Sequence, residues 1–415
     1  MATENKKYIP ALRFPEFQND GEWKEYPLGQ IFSRITKRNS VNNQNVLTIS
    51  AQYGLISQYD YFNKNVAAID VSNYYHISKY DFAYNKSKSQ GYPYGAIKPL
   101  KLYEDGVVSP LYICFRIKDD RSFVNTFFEY YFESGLIHKE IDKISQEGAR
   151  NHGLLNISTK DFFDKIILYI PSFGEQKKIA DCFVSIDKEI DATKRQLELL
   201  KEHKKGLMQR LFPAKGKTLP ELRFPEFQND GEWNYEHGDM LYDSIVNKKH
   251  KSDLPILAIT QDNGAIPRDD INYRVVVEDK SIEGYKVVEV GDFIISLRSF
   301  QGGIEYSRYK GLCSPAYIVL RKKHSKICDD FYRHYFKSFQ YIQELNRNLE
   351  GIRDGKMVSY KQFADIKLPY PNYEEQCKIA KVLSSIDDVI QTHIDKILAL
   401  ELHKNGLMQQ LFPKL

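Results

Sequence analysis

Two blocks of this sequence each occur twice, and this repetition restricts the fold more than any other feature. Residues 12–23 read LRFPEFQNDGEW, and the same letters return at residues 222–233. A second block, residues 175–213, returns with substitutions at residues 375–413. Solenoid proteins repeat every 20–50 residues or so. The much longer period seen here therefore predicts two copies of a whole domain.

The stretches between the repeated blocks, residues 25–170 and 234–370, differ in sequence but keep a common outline. The letters YDF at residues 80–82, for example, correspond to GDF at residues 291–293. Constant blocks around divergent inserts indicate one fold that carries two different surfaces. At 415 residues the chain is long enough for two domains with separate cores.

The second block predicts a long helix in each copy. Neither copy contains a proline before its final residues, and apolar residues recur at alternating steps of four and three, the pattern of a coiled-coil seam. One such helix alone would be interpreted as an amphipathic helix lying on its own domain. Two matched helices favour mutual pairing. The predicted seam residues are Ile179, Phe183, Ile186, Ile190, Leu197, Leu200, Ile379, Leu383, Ile386, Ile390, Ile397 and Leu400.

The predicted fold class is α+β, with two α/β domains separated by two long helices that form an antiparallel coiled coil. The antiparallel direction follows if a pseudo-two-fold axis relates the two halves. A helix of about 36 residues is roughly 54 Å long. The polar seam residues Thr193, Lys204, His393 and Lys404 are hypothesised to set the register. The predicted limits are residues 1–170 and 214–370 for the domains, and 171–213 and 371–415 for the helices.

Composition narrows the class of protein. The net charge of +4 and the pI of about 8.5 are only mildly basic, which is weak evidence for a nucleic-acid partner. The five cysteines are scattered without a CxxC pair, as expected of reduced thiols. No apolar segment has the length of a secretory signal core or of a membrane span. These features predict a soluble, cytoplasmic protein without a metal site.

The divergent inserts contain polar loops suited to contact DNA. Residues 79–103 hold five lysines and five tyrosines with one acidic residue. Lysine neutralises phosphates, and Gly/Pro-punctuated loops let polar side chains approach base edges. The corresponding loop of the second insert contains Arg298, the best candidate for a bidentate contact to guanine. The candidate DNA-binding residues are Gln52, Tyr53, Lys86, Ser87, Lys88, Gln90, Tyr92, Tyr94, Arg150, Asn151, His152, Gln261, Asn263, Arg298, Ser299, Gln301, Arg353 and Lys356.

Motifs of catalysis are not found. The sequence contains no Walker A element, no GxGxxG, no HExxH and no Asn/Asp-Pro-Pro-aromatic element of adenine methylation. We therefore predict no catalytic residue, no enzyme activity and no cofactor bound by this chain.

With these features the chain resembles the specificity subunit of type I restriction-modification systems, in the form found in Gram-positive bacteria. The resemblance covers nearly the whole chain. Its most diagnostic motifs are P-x-x-x-E-Q-x-K-I-A, beginning at Pro171 and Pro371, and K-x-G-L-M-Q-x-L-F-P, beginning at Lys204 and Lys404. The junction after Trp233 is one residue shorter than that after Trp23, which leaves the local geometry there open.

The resemblance implies two target-recognition domains that each read one half of an asymmetric, bipartite DNA site. It implies a coiled coil that sets the unspecified spacer, and docking of two methylation subunits and two restriction subunits. S-adenosylmethionine, ATP and Mg²⁺ would then belong to those partner subunits. A coiled-coil scaffold with two protein-binding heads remains the alternative, and a methyltransferase or nuclease acting alone is a third interpretation.

Overall fold

The computed structural model describes residues 8–50, 54–62, 70–89, 91–145, 153, 155–251, 253–270, 279–347 and 358–413. The chain forms two compact units. The first contains Met1–Ala192 together with Ile397–Leu415, and the second contains Thr193–Lys396. Each unit thus combines one divergent insert with parts of both long helices.

The first unit is built on two four-stranded sheets and a short two-stranded one. The sheet orders are β2-β9-β6-β7, β4-β3-β8-β5 and β1-β10, and only the β3-β8 pair is parallel among these. The strands are β1 Lys24–Pro27, β2 Phe32–Arg34, β3 Val46–Ser50, β4 Gly54–Ser57, β5 Tyr75–Ser78, β6 Phe82–Asn85, β7 Ala96–Pro99, β8 Asp105–Val108, β9 Ile113–Ile117 and β10 Ile167–Ile170. The helices are α1 Leu28–Ile31, α2 Gln58–Phe62, α3 Asn125–Glu133, α4 His138–Ile144 and α5 Thr159–Asp164, and the long α6 Phe173–Leu211 begins in this unit.

The second unit repeats the first of these four-stranded sheets: β12-β19-β16-β17 corresponds to β2-β9-β6-β7, and we call both the central sheet. The remaining strands form the pairs β13-β14, β15-β18 and β11-β20. Its strands are β11 Asn234–His237, β12 Tyr242–Ile245, β13 Leu257–Thr260, β14 Gly264–Pro267, β15 Lys286–Val288, β16 Phe293–Ile295, β17 Glu305–Tyr306, β18 Gly311–Cys313, β19 Ile318–Lys322 and β20 Lys367–Tyr370. Its helices are α7 Gly238–Leu241, α8 Ser299–Gly302, α9 Asp329–Tyr335, α10 Phe339–Arg347 and α11 Tyr360–Asp365, and the long α12 Tyr373–Leu411 begins in this unit.

The matching sheet orders confirm the prediction of a mixed α+β chain with two sheet-rich domains and long helices. The Asp-Phe pair that both inserts share explains part of the similarity between the two central sheets. Asp81 accepts the backbone N–H of Ser78 and pairs with Arg116, and Asp292 does the same with Glu289 and Arg321. In each domain a buried carboxylate therefore closes the turn before the central strand, where Gly291 adopts a φ of 97°.

Both long helices begin with the same buried ion pair. Glu175, 1% exposed, accepts two hydrogen bonds from the guanidinium of Arg13, at 2.6 and 2.7 Å. Glu375 binds Arg223 in the same bidentate manner at 2.8 Å. These charges, and not only the apolar letters of LRFPEF, tie the first repeated block to the second.

Each domain core is largely aromatic and is completed by the far end of a long helix. In the first unit, Phe412 lies 6.1 Å from Phe183 and 6.0 Å from Trp23, measured between ring centroids. In the second unit, Phe212 lies 5.5 Å from Phe331. The end of one long helix therefore packs beside the start of the other within each unit.

Candidate nucleic-acid interface

The first candidate surface is the connection between β6 and β7, which contains Lys86, Ser87 and Lys88. Ser87 and Lys88 are exposed, and Lys86 is partly buried. Burial lowers the pKa of the Lys86 ammonium. The backbone N–H of Lys88 donates to the carbonyl of Gly153 at 2.7 Å, and Leu155 donates to the carbonyl of Lys86 at 3.1 Å. The connection therefore has a defined backbone position that presents the Ser87 and Lys88 side chains outward.

The two predicted tyrosines of this connection face the domain more than the solvent. Tyr92 is partly buried, and its hydroxyl donates to Glu133 at 3.1 Å. The Tyr94 ring lies 5.2 Å from the ring of His138, and its carbonyl accepts the Tyr84 hydroxyl. Tyr92 and Tyr94 thus shape the connection as well as lining it.

Three of the five lysines in residues 79–103 are neutralised inside the domain. Lys79 pairs with Glu104, Lys98 with Glu133 and Lys101 with Glu129. Among the residues that the structure describes, Lys86 and Lys88 are the members of this group that form no ion pair. The positive charge available to phosphates here is therefore smaller than the sequence suggests.

The second candidate surface is the connection between β16 and β17, which includes the short helix α8. Arg298 and Gln301 are exposed, whereas Ser299 is 1% exposed and accepts the backbone N–H of Ser296 at 2.9 Å. Ser299 consequently shapes the loop from inside. Arg298 and Gln301 are the predicted residues here whose side chains reach solvent.

A turn from a different part of the second unit lies against this connection. Gln261 and Asn263 are exposed in the turn between β13 and β14. Lys337, which is not among the predicted residues, donates to the carbonyls of Gln261 at 3.1 Å and Gly302 at 2.9 Å. The same ammonium pairs with Glu305 at 2.6 Å. Lys337 thereby holds two predicted segments together.

Glu305 gives this part of the domain a pH dependence. Burial raises its pKa to about 7, outweighing the attraction of Lys337. Because this pKa exceeds the ordinary value of 4.5, the carboxyl stabilises the fold below about pH 4.5, and the contribution is lost as the pH rises through about 7. Relative to Glu305→Gln, the wild-type free energy of unfolding should fall by about 3 kcal/mol over this window. Urea unfolding of both proteins across the window tests this, and parallel pH profiles would contradict it.

Eight predicted DNA-binding residues lie outside the described residues. They are Gln52, Tyr53, Gln90, Arg150, Asn151, His152, Arg353 and Lys356. Of their neighbours, Gly153 and Leu155 are placed beside Lys86 and Lys88, as described above.

The predicted seam residues are all buried or partly buried. Ile179, Phe183, Ile190, Leu197, Ile379, Leu383 and Ile397 are buried, and Ile186, Leu200, Ile386, Ile390 and Leu400 are partly buried. The seam lysines have acidic partners that the heptad pattern does not reveal: Lys404 pairs with Asp187 in the first unit, and Lys204 with Asp387 in the second. Both pairs join the end of one helix to the start of the other.

Among the described residues there is no cluster of three or more His, Cys, Asp or Glu side chains arranged to hold a metal ion. The helices in that same part of the chain include none long and apolar enough to cross a membrane.

Comparison with known proteins relates this architecture to one family. A family model described as the type I restriction modification DNA specificity domain matches residues 217–402. A Methanocaldococcus jannaschii protein named as the MjaX type I restriction enzyme specificity subunit is 27% identical over 288 residues, 66% of this chain and 64% of that protein. The MjaVIII specificity subunit of the same organism is 27% identical over 252 residues, 56% of this chain and 58% of that protein. The matches thus span less than two thirds of these relatives' lengths.

Solved structures show the same fold. The crystal structure of a type I restriction-modification S subunit from M. genitalium matches with a TM-score of 0.57 at 15% identity, over 98% of this chain and all of that one. A structure from work on complex assembly and conformational transition of the type I system matches with a TM-score of 0.52 at 16% identity, over 94% of this chain and 97% of that one. The match of residues 217–402 to the family model and the two similar proteins relate this chain, with its duplicated blocks, to type I restriction-modification specificity subunits.

Proposed function

We propose that this chain is the non-catalytic DNA-recognition subunit of a type I restriction-modification complex, in which each domain reads one half of a bipartite, asymmetric site. The observation that carries this proposal is one exposed polar connection at the same sheet position in each domain. These connections follow β6 and β16 and differ in length and sequence. Equivalent scaffolds with different polar side chains are what two independent half-site readers require.

The long helices would form an antiparallel coiled coil that sets the spacer between the half-sites. The pairs Lys404–Asp187 and Lys204–Asp387 support this direction, because each joins the end of one helix to the start of the other. In a parallel arrangement Asp187 would face Asp387 and the two lysines would face each other. Such like-charge pairs are unfavourable, so the same residues disfavour the wrong direction.

The two copies of the repeated blocks would each bind one methylation subunit, and the full complex would add two restriction subunits. Methylation would use S-adenosylmethionine on a flipped adenine, and restriction would use ATP and Mg²⁺, all within the partner subunits. The specificity chain would contribute sequence recognition and spacing in the cytoplasm, where the DNA is.

Exchange of residues 25–170 for the corresponding insert of another specificity subunit tests the modular part of the proposal. The methylated adenines of a host expressing the exchanged chain should define a bipartite motif in which one half has changed and the other half and the spacer are retained. A change in both halves would contradict separate reading by the two domains.

A scaffold with two protein-binding heads is the alternative function. The measurement that separates the two is the affinity of the chain, together with its methylation subunits, for DNA across a salt series. A DNA reader loses affinity steeply as salt rises, because phosphate contacts release counterions, and it discriminates between sequences. Absence of both behaviours would favour the scaffold.

A further inference from the structure

Both domains contain an ion pair at the same position, but with the charges exchanged. In the first unit Lys98 on strand β7 pairs with Glu133 at the end of helix α3. In the second unit Glu305 on strand β17 pairs with Lys337, which follows helix α9. The strand supplies the cation in one domain and the anion in the other.

The strand positions are equivalent by register. Lys98 lies opposite Ala83, and Glu305 lies opposite Ile294. Ala83 and Ile294 are each the second residue of the central strand, β6 and β16. Each of these strands follows the buried aspartate that closes the preceding turn.

The helix positions are equivalent as well. The glutamine of each repeated E-Q motif accepts a backbone N–H at 3.0 Å, from Val124 before α3 and from Cys328 before α9. Glu133 and Lys337 each lie nine residues beyond that anchored residue. The exchange of charges is therefore a property of the two domains and not of a shifted alignment.

Each pair also holds the connection that precedes its strand. In the first unit the Lys98 ammonium donates to the Tyr92 hydroxyl, which itself donates to Glu133, both at 3.1 Å. In the second unit Lys337 donates to the carbonyl of Gly302 at 2.9 Å. Both connections are the exposed loops assigned above to DNA reading.

We propose that Lys98–Glu133 and Glu305–Lys337 are positioning residues that hold the two reading loops on their domains in the geometry needed to bind a half-site. This inference rests on the proposed function. Loop side chains recognise a partner only when supporting groups keep them in place, and a partly buried ion pair provides such support. Because either order of acid and base occurs in this one chain, the position accommodates an acidic and a basic side chain in both arrangements and not one particular residue at each place.

The test compares Lys98→Glu, Glu133→Lys and the double variant that carries both changes, in the full-length chain. Each single change places like charges together and should speed amide exchange of residues 91–95 about tenfold or more, while the double variant should return it toward the wild-type rate. Lys101→Glu is the matched control, because Lys101 also pairs with a glutamate of helix α3, Glu129, but lies outside the loop that the Lys98–Glu133 pair holds. Unchanged exchange in the single variants, or an equal rise in the control, would refute the positioning role.

DNA recognition is measured separately, as the affinity of the same proteins for a duplex that carries the methylated motif mapped in the host. We expect about a tenfold loss for each single change and recovery in the double variant. A double variant as weak as Lys98→Glu would show that Lys98 contacts DNA directly, and would overturn the proposal. If wild-type protein bound no DNA, the proposed function would fail, while amide exchange would still decide whether the pair holds the loop.

The second domain provides an independent repetition. Glu305→Lys and Lys337→Glu should each weaken recognition of only one half-site, the one that the first-domain variants leave unchanged. The double variant that carries both changes should restore binding. Single variants that impaired both half-sites equally would contradict one positioning pair per domain.

Discussion

Replacing Glu175 with alanine is expected to lower the free energy of unfolding of the first unit by about 3–5 kcal/mol. The loss arises because the guanidinium of Arg13, 7% exposed, would keep its charge without the carboxylate that accepts two of its hydrogen bonds. The Glu175 side chain raises the pKa of Arg13 through that hydrogen bond. Without Glu175 the guanidinium would still keep its proton, because an arginine side chain is not deprotonated in proteins. The free energy of unfolding of this unit is measured by chemical denaturation, with amide exchange in residues 8–50 as the local probe.

Glu104→Ala is the control for this prediction. Glu104 pairs with Lys79 in the same unit, but its side chain is 84% exposed, so its removal should cost about 1 kcal/mol or less. If the two variants lowered the free energy of unfolding equally, the buried pair would not be what holds the two repeated blocks together. Glu375→Ala should reproduce the effect of Glu175→Ala in the second unit, since Glu375 binds Arg223 in the same geometry.

Phe412→Ala should destabilise the first unit by about 3–5 kcal/mol, although residue 412 is far from that domain in sequence. The side chain is 3% exposed and packs between Phe183, Trp23 and Phe127. Its removal leaves a cavity in an aromatic core that has little freedom to collapse. The expected result is a large increase in the amide exchange rate of helix α3 and a smaller increase in helix α9.

Phe212→Ala is the matched variant, because Phe212 occupies the corresponding place beside Phe331 in the second unit. It should destabilise α9 and spare α3. Leu402→Ala, at a side chain that is 73% exposed, should change neither by more than about 0.5 kcal/mol. If Phe412→Ala destabilised the second unit instead, the assignment of the chain's end to the first core would be wrong.

Much of the scaffold was predictable because repetition and periodicity are properties of the sequence itself. The α+β class, two sheet-rich domains and long helices follow from blocks that recur and from apolar steps of four and three. The buried pair Arg13–Glu175 was missed, although a signal existed: both residues recur, at Arg223 and Glu375, within identical motifs. A charged residue that is identical in both copies of a repeated block is a reasonable candidate for a member of a buried ion pair.

The positioning pairs had no such signal. Lys98 and Glu305 have opposite charges, so a comparison of the two inserts shows a mismatch where the structure has equivalent positions. Their partners lie 35 and 32 residues away in sequence. A pair interaction depends on the product of two charges, which is unchanged when both are reversed, whereas sequence comparison examines one residue at a time.

Two equivalent domains and two matched long helices could be predicted from the amino-acid sequence, because apolar periodicity and repeated motifs are local and survive substitution elsewhere. The residues that complete each core, the lysines that are already neutralised and the loop residues that reach solvent became evident from the folded chain. These depend on contacts between segments far apart in the chain, such as Phe412 with Trp23 or Lys337 with Gln261. Contacts of this kind are selected by the summed packing and desolvation of the whole domain, which no single stretch of sequence contains.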